Sequence, residues 1–175
     1  MKVLLLENIH PIAKEKLEQA GHTVDLLAHS PDPSEMKELF ASYDALGIRS
    51  KTKLTAEILK DSEHLMAIGC FCIGTNQVEL NQAKTQGASV FNAPHSNTRS
   101  VAELVLAEMV MLSRQLGDRN TKAHNGTWLK SAKGANEIRG KKLGIVGYGH
   151  IGSQVSVLAE AFGLKVYFYD TAKKL

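Results

Sequence analysis

The sequence contains little cysteine and has no long hydrophobic run. Of its 175 residues two are cysteines, Cys70 and Cys72. They are too few and too close together for a disulfide framework, so we expect a reducing, cytoplasmic location. The apolar runs extend over a few residues, which predicts no transmembrane helix, and the run after Met1 is too short for a signal peptide. With 43% hydrophobic and 22% charged residues, the composition is typical of a soluble globular protein rather than a disordered one.

Patterns that bind metal ions are also missing from the sequence. Cys70 and Cys72 have a single residue between them. Zinc-binding cysteine pairs have two to four residues between them, and no second pair follows in this sequence. The seven histidines form no His-Glu-x-x-His or similar set. We therefore expect no metal site, and we interpret the two cysteines as core or near-core thiols.

The net charge of +3 conceals an asymmetry along the chain. Residues 1–118 carry 11 Lys and Arg against 15 Asp and Glu, a net charge of −4, whereas residues 119–175 carry 10 against 3, a net charge of +7. Such a basic segment can indicate binding to nucleic acid or another polyanion. Its cations lack the interleaved aromatic residues suited to nucleic acid, so a solvated surface is favoured and no nucleic-acid partner is expected.

The first ninety residues alternate short apolar runs with helical patterns. This alternation predicts a parallel α/β sheet covered on both faces. The expected strands are Lys2–Leu6, Thr23–Leu27, Ala45–Ile48, Leu65–Gly69 and Ala88–Phe91, and the expected helices are Pro11–Ala20, Pro33–Phe40, Thr55–Lys60 and Val78–Gln86.

A long apolar helix is predicted next, from Ser100 to Leu116. Ser100 and Glu103 fit a capping box at its start, and Gly117 fits its end. Apolar residues lie almost all round this helix, so we expect it to be buried between layers or between domains. Residues 118–140 are polar, and we expect them to form an irregular arm around Trp128.

The sharpest motif is Gly-x-Gly-x-x-Gly, formed by Gly147, Gly149 and Gly152. It follows a predicted strand, Lys142–Val146, and leads into a predicted helix, Ser153–Phe162. In a dinucleotide-binding unit the first glycine allows the tight turn, the second lets the backbone approach the pyrophosphate, and the third lets the helix pack against the strand. The helix N-terminus then offers N–H groups to the phosphates.

An acidic residue completes this pattern. Asp170 lies 18 residues after Gly152, at the end of the predicted strand Lys165–Tyr169. Its carboxylate would accept hydrogen bonds from a ribose 2′-hydroxyl and repel a 2′-phosphate, which favours NAD over NADP. The main alternative is a methyltransferase, since these also bind a ribose through an acid in a Rossmann-like fold.

Two further loops are candidate anion sites. Arg49 and its neighbours follow the third predicted strand, where open parallel sheets bind ligands, and a guanidinium can clamp a carboxylate or phosphate. The loop Asn92–Ser100 precedes the long helix and could place an anion at its N-terminus. On pattern alone, an ordinary charged loop at the first place and plain helix capping at the second are favoured.

Long runs of residues resemble one enzyme family. The runs Ile68–Asn76, Phe91–Pro94, Ser96–Glu103 and Gly140–Gly152 are similar to the N-terminal part of the D-2-hydroxyacid dehydrogenases, most closely to bacterial members that act on D-3-phosphoglycerate. His95 departs from the resemblance, since a more hydrophobic residue is expected there. The resemblance implies NAD-dependent oxidation of 3-phosphoglycerate to 3-phosphohydroxypyruvate, the first step of L-serine biosynthesis, in a homodimer or homotetramer.

The resemblance also implies an organisation and a set of site residues. Residues 1–97 would form a flavodoxin-like parallel-sheet substrate domain. Residues 98–175 would form a linking helix, a dimerisation arm around Trp128 and the first βαβ unit of a Rossmann NAD-binding domain. The residues that would bind substrate are Arg49, Ser50 and Asn97, and those that would bind NAD include His150, Ile151 and Asp170.

The catalytic arginine, glutamate and histidine of the family have no counterpart in these 175 residues, and the half of a Rossmann domain that binds nicotinamide is missing. We therefore expect a fragment that cannot turn over by itself, whose missing sequence would also balance the basic C-terminal third. Two alternatives stay open: another D-2-hydroxyacid dehydrogenase, such as a glyoxylate or hydroxypyruvate reductase, and a non-catalytic nucleotide-binding or dimerising module.

Overall fold

The structure is a computed structural model that describes residues 1–173. The last two residues of the predicted segment 98–175 lie outside the described residues. The chain divides into two compact units, Met1–Ser96 and the residues from Asn97 onward.

The first unit is a five-stranded parallel sheet with helices between its strands. The sheet has the order β2-β1-β3-β4-β5, which is the flavodoxin-like order, so the predicted fold class is confirmed. Its elements are β1 Lys2–Leu5, α1 Pro11–Gln19, β2 Thr23–Leu26, α2 Pro33–Phe40, β3 Ala45–Ile48, α3 Ala56–Lys60, β4 Ala67–Cys70, α4 Leu80–Thr85 and β5 Ser89–Asn92.

Alternate strand residues of the first unit point to opposite faces of the sheet, and each face has its own core. On one face Leu4, Leu46 and Ile68 pack with residues of α2, α3 and α4, among them Phe40 and Leu59. On the other face Val3, Leu5 and Val24 pack with Ala13 and Leu17 of α1. The four residues of β3 are all buried, which is typical of a central strand in a parallel sheet covered by helices.

The second unit contains three helices and a two-stranded parallel sheet. Its elements are α5 Thr98–Ser113, α6 Leu116–His124, β6 Lys142–Val146, α7 His150–Ala161 and β7 Lys165–Tyr169. β6 and β7 pair in register from Lys142 with Lys165 to Val146 with Tyr169. Ala102 and Leu106 of α5 pack with Val155 and Ala159 of α7, and these residues form the centre of a small core.

The predicted start and end of the long helix are wrong. The helix begins at Thr98 with Asn97 at the N-cap, and Ser100 lies inside its first turn, where the hydroxyl donates 3.0 Å back to the Asn97 carbonyl. Because Ser100 bonds to this carbonyl, it does not form the predicted capping box, and Glu103 pairs with Arg99 instead. The helix ends before Gln115, a non-glycine residue with a left-handed φ of 57°.

The region after the long helix is also more ordered than predicted. Gly117, expected as a helix stop, lies inside α6, so the first part of the predicted irregular arm is helical. Residues 126–141, all of them described, form no helix or strand, and Trp128 within them is 81% exposed. Gln115, with its left-handed φ, lies between α5 and α6 and is the N-cap of α6.

The expected burial of the long helix is wrong within this chain. Of the residues of α5, all of which are described, Ala102 and Leu106 are the buried ones, while Leu112 is 76% exposed. The helix packs along one side against α7, so apolar residues on its other sides face outward. No helix in the part of the chain that the structure describes has the length and apolarity that a membrane crossing requires.

Candidate functional sites

The first candidate site lies at the point in the sheet of the first unit where the strand order reverses. β1 has β2 on one side and β3 on the other, and in open parallel sheets ligands bind beyond the carboxyl ends of the strands at this point. A cleft of about 510 Å³ is present there. Its walls are formed by Glu7, Asn8, Ala28, His29, Ser30, Arg49, Ser50 and Lys51.

A buried carboxylate organises the loop after β3. The side chain of Glu7 accepts hydrogen bonds from the backbone N–H groups of Arg49 at 3.0 Å, Lys51 at 3.0 Å and Thr52 at 2.9 Å. Burial by itself raises the pKa of Glu7, but hydrogen bonds from the Thr52 side chain and from these three N–H groups outweigh it and lower the pKa below its ordinary value. The carboxylate is thus held ionised by donors of the loop.

A second side chain, Gln77, holds the same loop. The amide nitrogen of Gln77 donates to the Arg49 carbonyl at 2.9 Å and contacts the Cys72 sulfur at 3.1 Å. Cys70, at the end of β4, is buried, and burial together with the neighbouring Cys72 raises the pKa of its thiol to about 11. The interpretation of the two cysteines as core or near-core thiols agrees with the buried Cys70 and the half-buried Cys72.

The cleft presents a cation, the Arg49 guanidinium, to the solvent. The side chains of Arg49, Ser50 and Lys51 are exposed at its edge. One guanidinium nitrogen of Arg49 donates to the main-chain carbonyl of Glu7 at 3.4 Å, which leaves further N–H groups of the guanidinium for a ligand. The arrangement can bind a carboxylate or a phosphate through a guanidinium and a hydroxyl.

The second candidate site is the glycine motif of the second unit. Gly147 has a φ of 93°, a conformation that side chains disfavour. A Cβ atom at Gly152 would collide with the Gly147 carbonyl oxygen, so this glycine permits the close approach of α7 to the loop. A Cβ atom at Gly149 would meet no protein atom within 4 Å, so the space beside this residue is open. The helix begins at His150, inside the motif, rather than at the predicted Ser153.

Asp170 lies at the end of β7 beside the glycine loop. One carboxylate oxygen accepts the Tyr148 N–H at 2.6 Å, and the other accepts the Ala172 N–H at 2.8 Å. The Tyr148 ring stacks on the ring of Phe168, with centroids 3.9 Å apart and planes 18° from parallel. These contacts hold the loop and the acid in one arrangement, and a carboxylate oxygen can accept more than one hydrogen bond, so it can also receive one from a ribose hydroxyl.

The predicted substrate residues do not all lie in one unit. Arg49 and Ser50 are neighbours in the cleft of the first unit, while Asn97 is the N-cap of α5 in the second. The side-chain oxygens of Asn97 and Thr98 are buried and have no hydrogen-bond partner. Buried polar atoms without a partner are uncommon, so the start of α5 is a candidate for a functional role.

Sequence reasoning missed three residues of these sites: Glu7, Gln77 and Tyr148. A signal exists for Glu7, because an acid directly after a buried strand belongs to the edge where ligands bind. For Tyr148 the signal is an aromatic residue inside the glycine motif with another at the end of the following strand. Gln77 has no such signal, because its contacts with Arg49 and Cys72 depend on how two loops meet.

Among the described residues, no three His, Cys, Asp or Glu side chains are grouped to hold a metal ion.

Comparison with known proteins gives a consistent result. The family model of the D-isomer specific 2-hydroxyacid dehydrogenase catalytic domain matches residues 3–172. The chain is 53% identical over 176 residues to the D-3-phosphoglycerate dehydrogenase of Haemophilus influenzae. That match covers 100% of this chain and 43% of the relative, so the chain spans less than half of the relative's length.

Solved structures agree with the sequence comparison. The TT0316 protein of Thermus thermophilus matches with a TM-score of 0.90 and 26% identity, over 99% of this chain and 57% of that one. The D-lactate dehydrogenase of Aquifex aeolicus, solved with NAD and lactic acid, matches with a TM-score of 0.82 and 25% identity, over 98% and 52%. A nicotinamide dinucleotide is therefore the cofactor type that the neighbours support, and the chain belongs to the D-isomer specific 2-hydroxyacid dehydrogenase family.

Proposed function

We propose that this chain forms the substrate-binding part and the ADP-binding part of an enzyme that oxidises D-3-phosphoglycerate to 3-phosphohydroxypyruvate with NAD, the first step of L-serine biosynthesis. The observation that carries this proposal is the 53% identity with a D-3-phosphoglycerate dehydrogenase along the whole chain. The unit Met1–Ser96 would bind substrate, and the residues from Asn97 onward would bind the dinucleotide.

The glycine motif and Asp170 are the proposed dinucleotide site. Gly147, Gly149 and Gly152 would let the loop and the start of α7 meet the pyrophosphate, together with the neighbouring His150 and Ile151. The open space beside Gly149 and the fixed Asp170 carboxylate fit this group. NAD, when bound, supplies the hydride acceptor, and the negative charge of Asp170 would disfavour the 2′-phosphate of NADP.

Arg49, Ser50 and Asn97 are the proposed substrate residues. A guanidinium can hold a carboxylate or phosphate through two parallel hydrogen bonds, and the hydroxyl of Ser50 can donate a further one. Asn97, at the start of α5, carries a side-chain amide that would donate a hydrogen bond to the substrate. No residue of the chain is proposed as the acid or base of the reaction, so the isolated 175-residue chain is expected not to turn over.

We also propose that the enzyme works in the cytoplasm as a homodimer or homotetramer. The exposed Trp128 and the outward-facing apolar residues of α5, such as Leu112, support such an assembly. Large exposed apolar side chains grouped on one unit are typical of surfaces that associate. Analytical ultracentrifugation of wild type and Trp128→Ser would show whether the assembly depends on this segment.

Nucleotide binding tests the dinucleotide site directly. Calorimetric titration of the wild-type protein should give at least about tenfold tighter binding of NAD than of NADP, since a charged hydrogen bond is worth about 1.5–3 kcal/mol. Asp170→Asn should lose most of this preference, while Asp118→Asn, an exposed acid on α6, should keep it. Tighter binding of NADP by the wild-type protein would contradict the assignment.

Steady-state rates identify the substrate. The full-length product of the gene should reduce NAD with D-3-phosphoglycerate at a higher kcat/KM than with other acids of a panel that includes D-lactate, D-glycerate and glycolate. A preference for one of the unphosphorylated acids would instead indicate another D-2-hydroxyacid dehydrogenase. Binding of NAD without turnover of any acid would favour a non-catalytic nucleotide-binding module.

A further inference from the structure

We propose that Glu7 is a positioning residue that presents Arg49 and Ser50 to the substrate. The inference rests on the proposed function, because Arg49 and Ser50 are substrate residues only in that proposal. Glu7 is part of the cleft wall but is only 7% exposed, and both of its carboxylate oxygens accept N–H groups of the loop. It would act on the substrate only through the loop that it holds.

The contacts of Glu7 are those expected of a template for the loop. Its two carboxylate oxygens accept three backbone N–H groups, from Arg49, Lys51 and Thr52, at 2.9 to 3.0 Å. Three donors that converge on one anion define the path of the backbone between them. Ser50 lies between two of these anchored residues, so the position of its hydroxyl follows from the same contacts.

The Arg49 residue is held at both ends of its backbone. Its N–H donates to Glu7, and its carbonyl accepts from the Gln77 side chain at 2.9 Å. Its guanidinium also donates to the main-chain carbonyl of Glu7 at 3.4 Å. With its backbone held on both sides, Arg49 starts its side chain from a defined position at the edge of the cleft, which lowers the ordering cost of binding.

The backbone of Glu7 is itself in an unusual conformation. Glu7 and Asn8 have φ values of 60° and 53°, and two successive non-glycine residues in the left-handed region are uncommon. Asparagine tolerates this region, whereas glutamate has no local compensation, so the surrounding contacts must outweigh the cost. The turn is closed by the Ile9 N–H, which donates to the Leu6 carbonyl at 3.3 Å. The consequence of this turn is that the carboxylate faces the loop after β3.

A carboxylate is required here because every named partner is a donor. An ionised carboxylate only accepts, while a glutamine of the same shape would place its NH₂ group against N–H groups of the loop. Glu7→Gln therefore preserves size but replaces an acceptor with a donor at one oxygen. We expect the backbone of the loop after β3 to lose its single conformation in this variant.

The test compares the wild-type full-length protein with Glu7→Gln and with Glu15→Gln. Glu15 is exposed on α1 in the same unit and controls for the loss of one negative charge. Calorimetric dissociation constants are measured separately for D-3-phosphoglycerate and for NAD, with a melting temperature for each protein. We expect Glu7→Gln to weaken D-3-phosphoglycerate binding about tenfold, the loss of one charged hydrogen bond, and to leave NAD binding within about twofold.

A merely structural role would give a different pattern. If Glu7→Gln weakens both ligands equally, in step with the fraction of unfolded protein, or if D-3-phosphoglycerate binding changes less than about twofold, the inference is overturned. Amide ¹H–¹⁵N shifts of Arg49, Lys51 and Thr52 give a second readout, and unchanged shifts in Glu7→Gln would also overturn it. A wild-type protein that binds neither ligand overturns the proposed function, and this inference with it, whereas a wild-type protein that binds both ligands isolates the role of Glu7.

Discussion

The two units of the chain differ in how completely they cover their sheets. In the first unit helices pack on both faces of five parallel strands, and β3 is buried along its whole length. In the second unit one face of β6 and β7 packs against α5 and α7, while Val146 on the other face is 90% exposed. Parallel strands are ordinarily covered on both faces, and the second unit leaves one face of its sheet uncovered, whereas in the first unit exposed apolar side chains such as Phe91 lie on the edge strands.

The two units also differ in how far apart in the sequence the residues of their sites lie. The loop of the first unit depends on Glu7 and Gln77, which reach it from other strands and loops. The glycine loop of the second unit is built within one strand–helix–strand sequence, from Gly147 to Asp170. A site built from local contacts can form in a unit with a small core, whereas a site built from distant contacts requires the whole sheet.

The largest expected effect lies in the core of the first unit. Phe40 is 1% exposed, and Phe40→Ala should lower the free energy of unfolding of this unit by about 3–5 kcal/mol, because it removes a buried ring and leaves a cavity. Hydrogen exchange read by mass spectrometry should show this loss in residues 1–96 and less than about 0.5 kcal/mol in residues 97–173.

Leu112→Ala on α5 is the matched change in the second unit. Because this side chain is largely exposed, its removal should change the free energy of unfolding by less than about 0.5 kcal/mol. A cost near that of Phe40→Ala would mean that α5 is covered in solution. The contrast between the two units would then be a property of the single chain and not of the protein in solution.

An intermediate effect is expected at the glycine motif. Gly152→Ala places a methyl group against the Gly147 carbonyl and should destabilise the second unit by about 1–3 kcal/mol, since the helix must move away from the loop. NAD binding should be lost in calorimetric titration. Gly144→Ala in β6 is the control, because its added Cβ meets no atom within 4 Å; an equal loss in both variants would show that the close packing at Gly152 is not the cause.

The smallest expected effect is the pH dependence of the free energy of unfolding of the first unit. The pKa of Glu7 is lower in the folded chain than its ordinary value of 4.5, so the folded state is stabilised at pH above that value. This contribution is lost as the pH falls through the lowered pKa of the folded state, where the carboxylate becomes protonated. Urea unfolding between pH 3 and pH 6 should be less pH-dependent in Glu7→Gln than in wild type, and equal slopes in the two proteins would contradict this linkage.

Local patterns allowed much of the fold to be predicted. The strand and helix alternation of the first unit and the strand–turn–helix of the second appear near their expected places, because hydrophobic periodicity and glycine position act over a few residues. The boundaries were less accurate: α5 begins two residues before Ser100, and α7 begins three residues before Ser153. Capping residues compete at helix starts, and a serine in the first turn can bond back to a carbonyl instead of capping.

The contacts that shape the cleft could not be predicted in the same way. Glu7 is 42 to 45 residues from its three partners, and no local pattern indicates which acid reaches which loop. The apolar pattern of α5 predicted burial on almost all sides, which is wrong within this chain. Exposure depends on what packs against each side of a helix, and this is not visible in its own sequence.

The sequence by itself determined the family, the α/β class and the glycine motif, since these depend on the order of residue types along a short stretch of chain. The tertiary structure alone decided that Glu7 meets the loop after β3 and that Gln77 holds the Arg49 carbonyl. The physical reason is that strand order brings distant residues to one edge of the sheet. A hydrogen bond between them exists only when the whole sheet has formed.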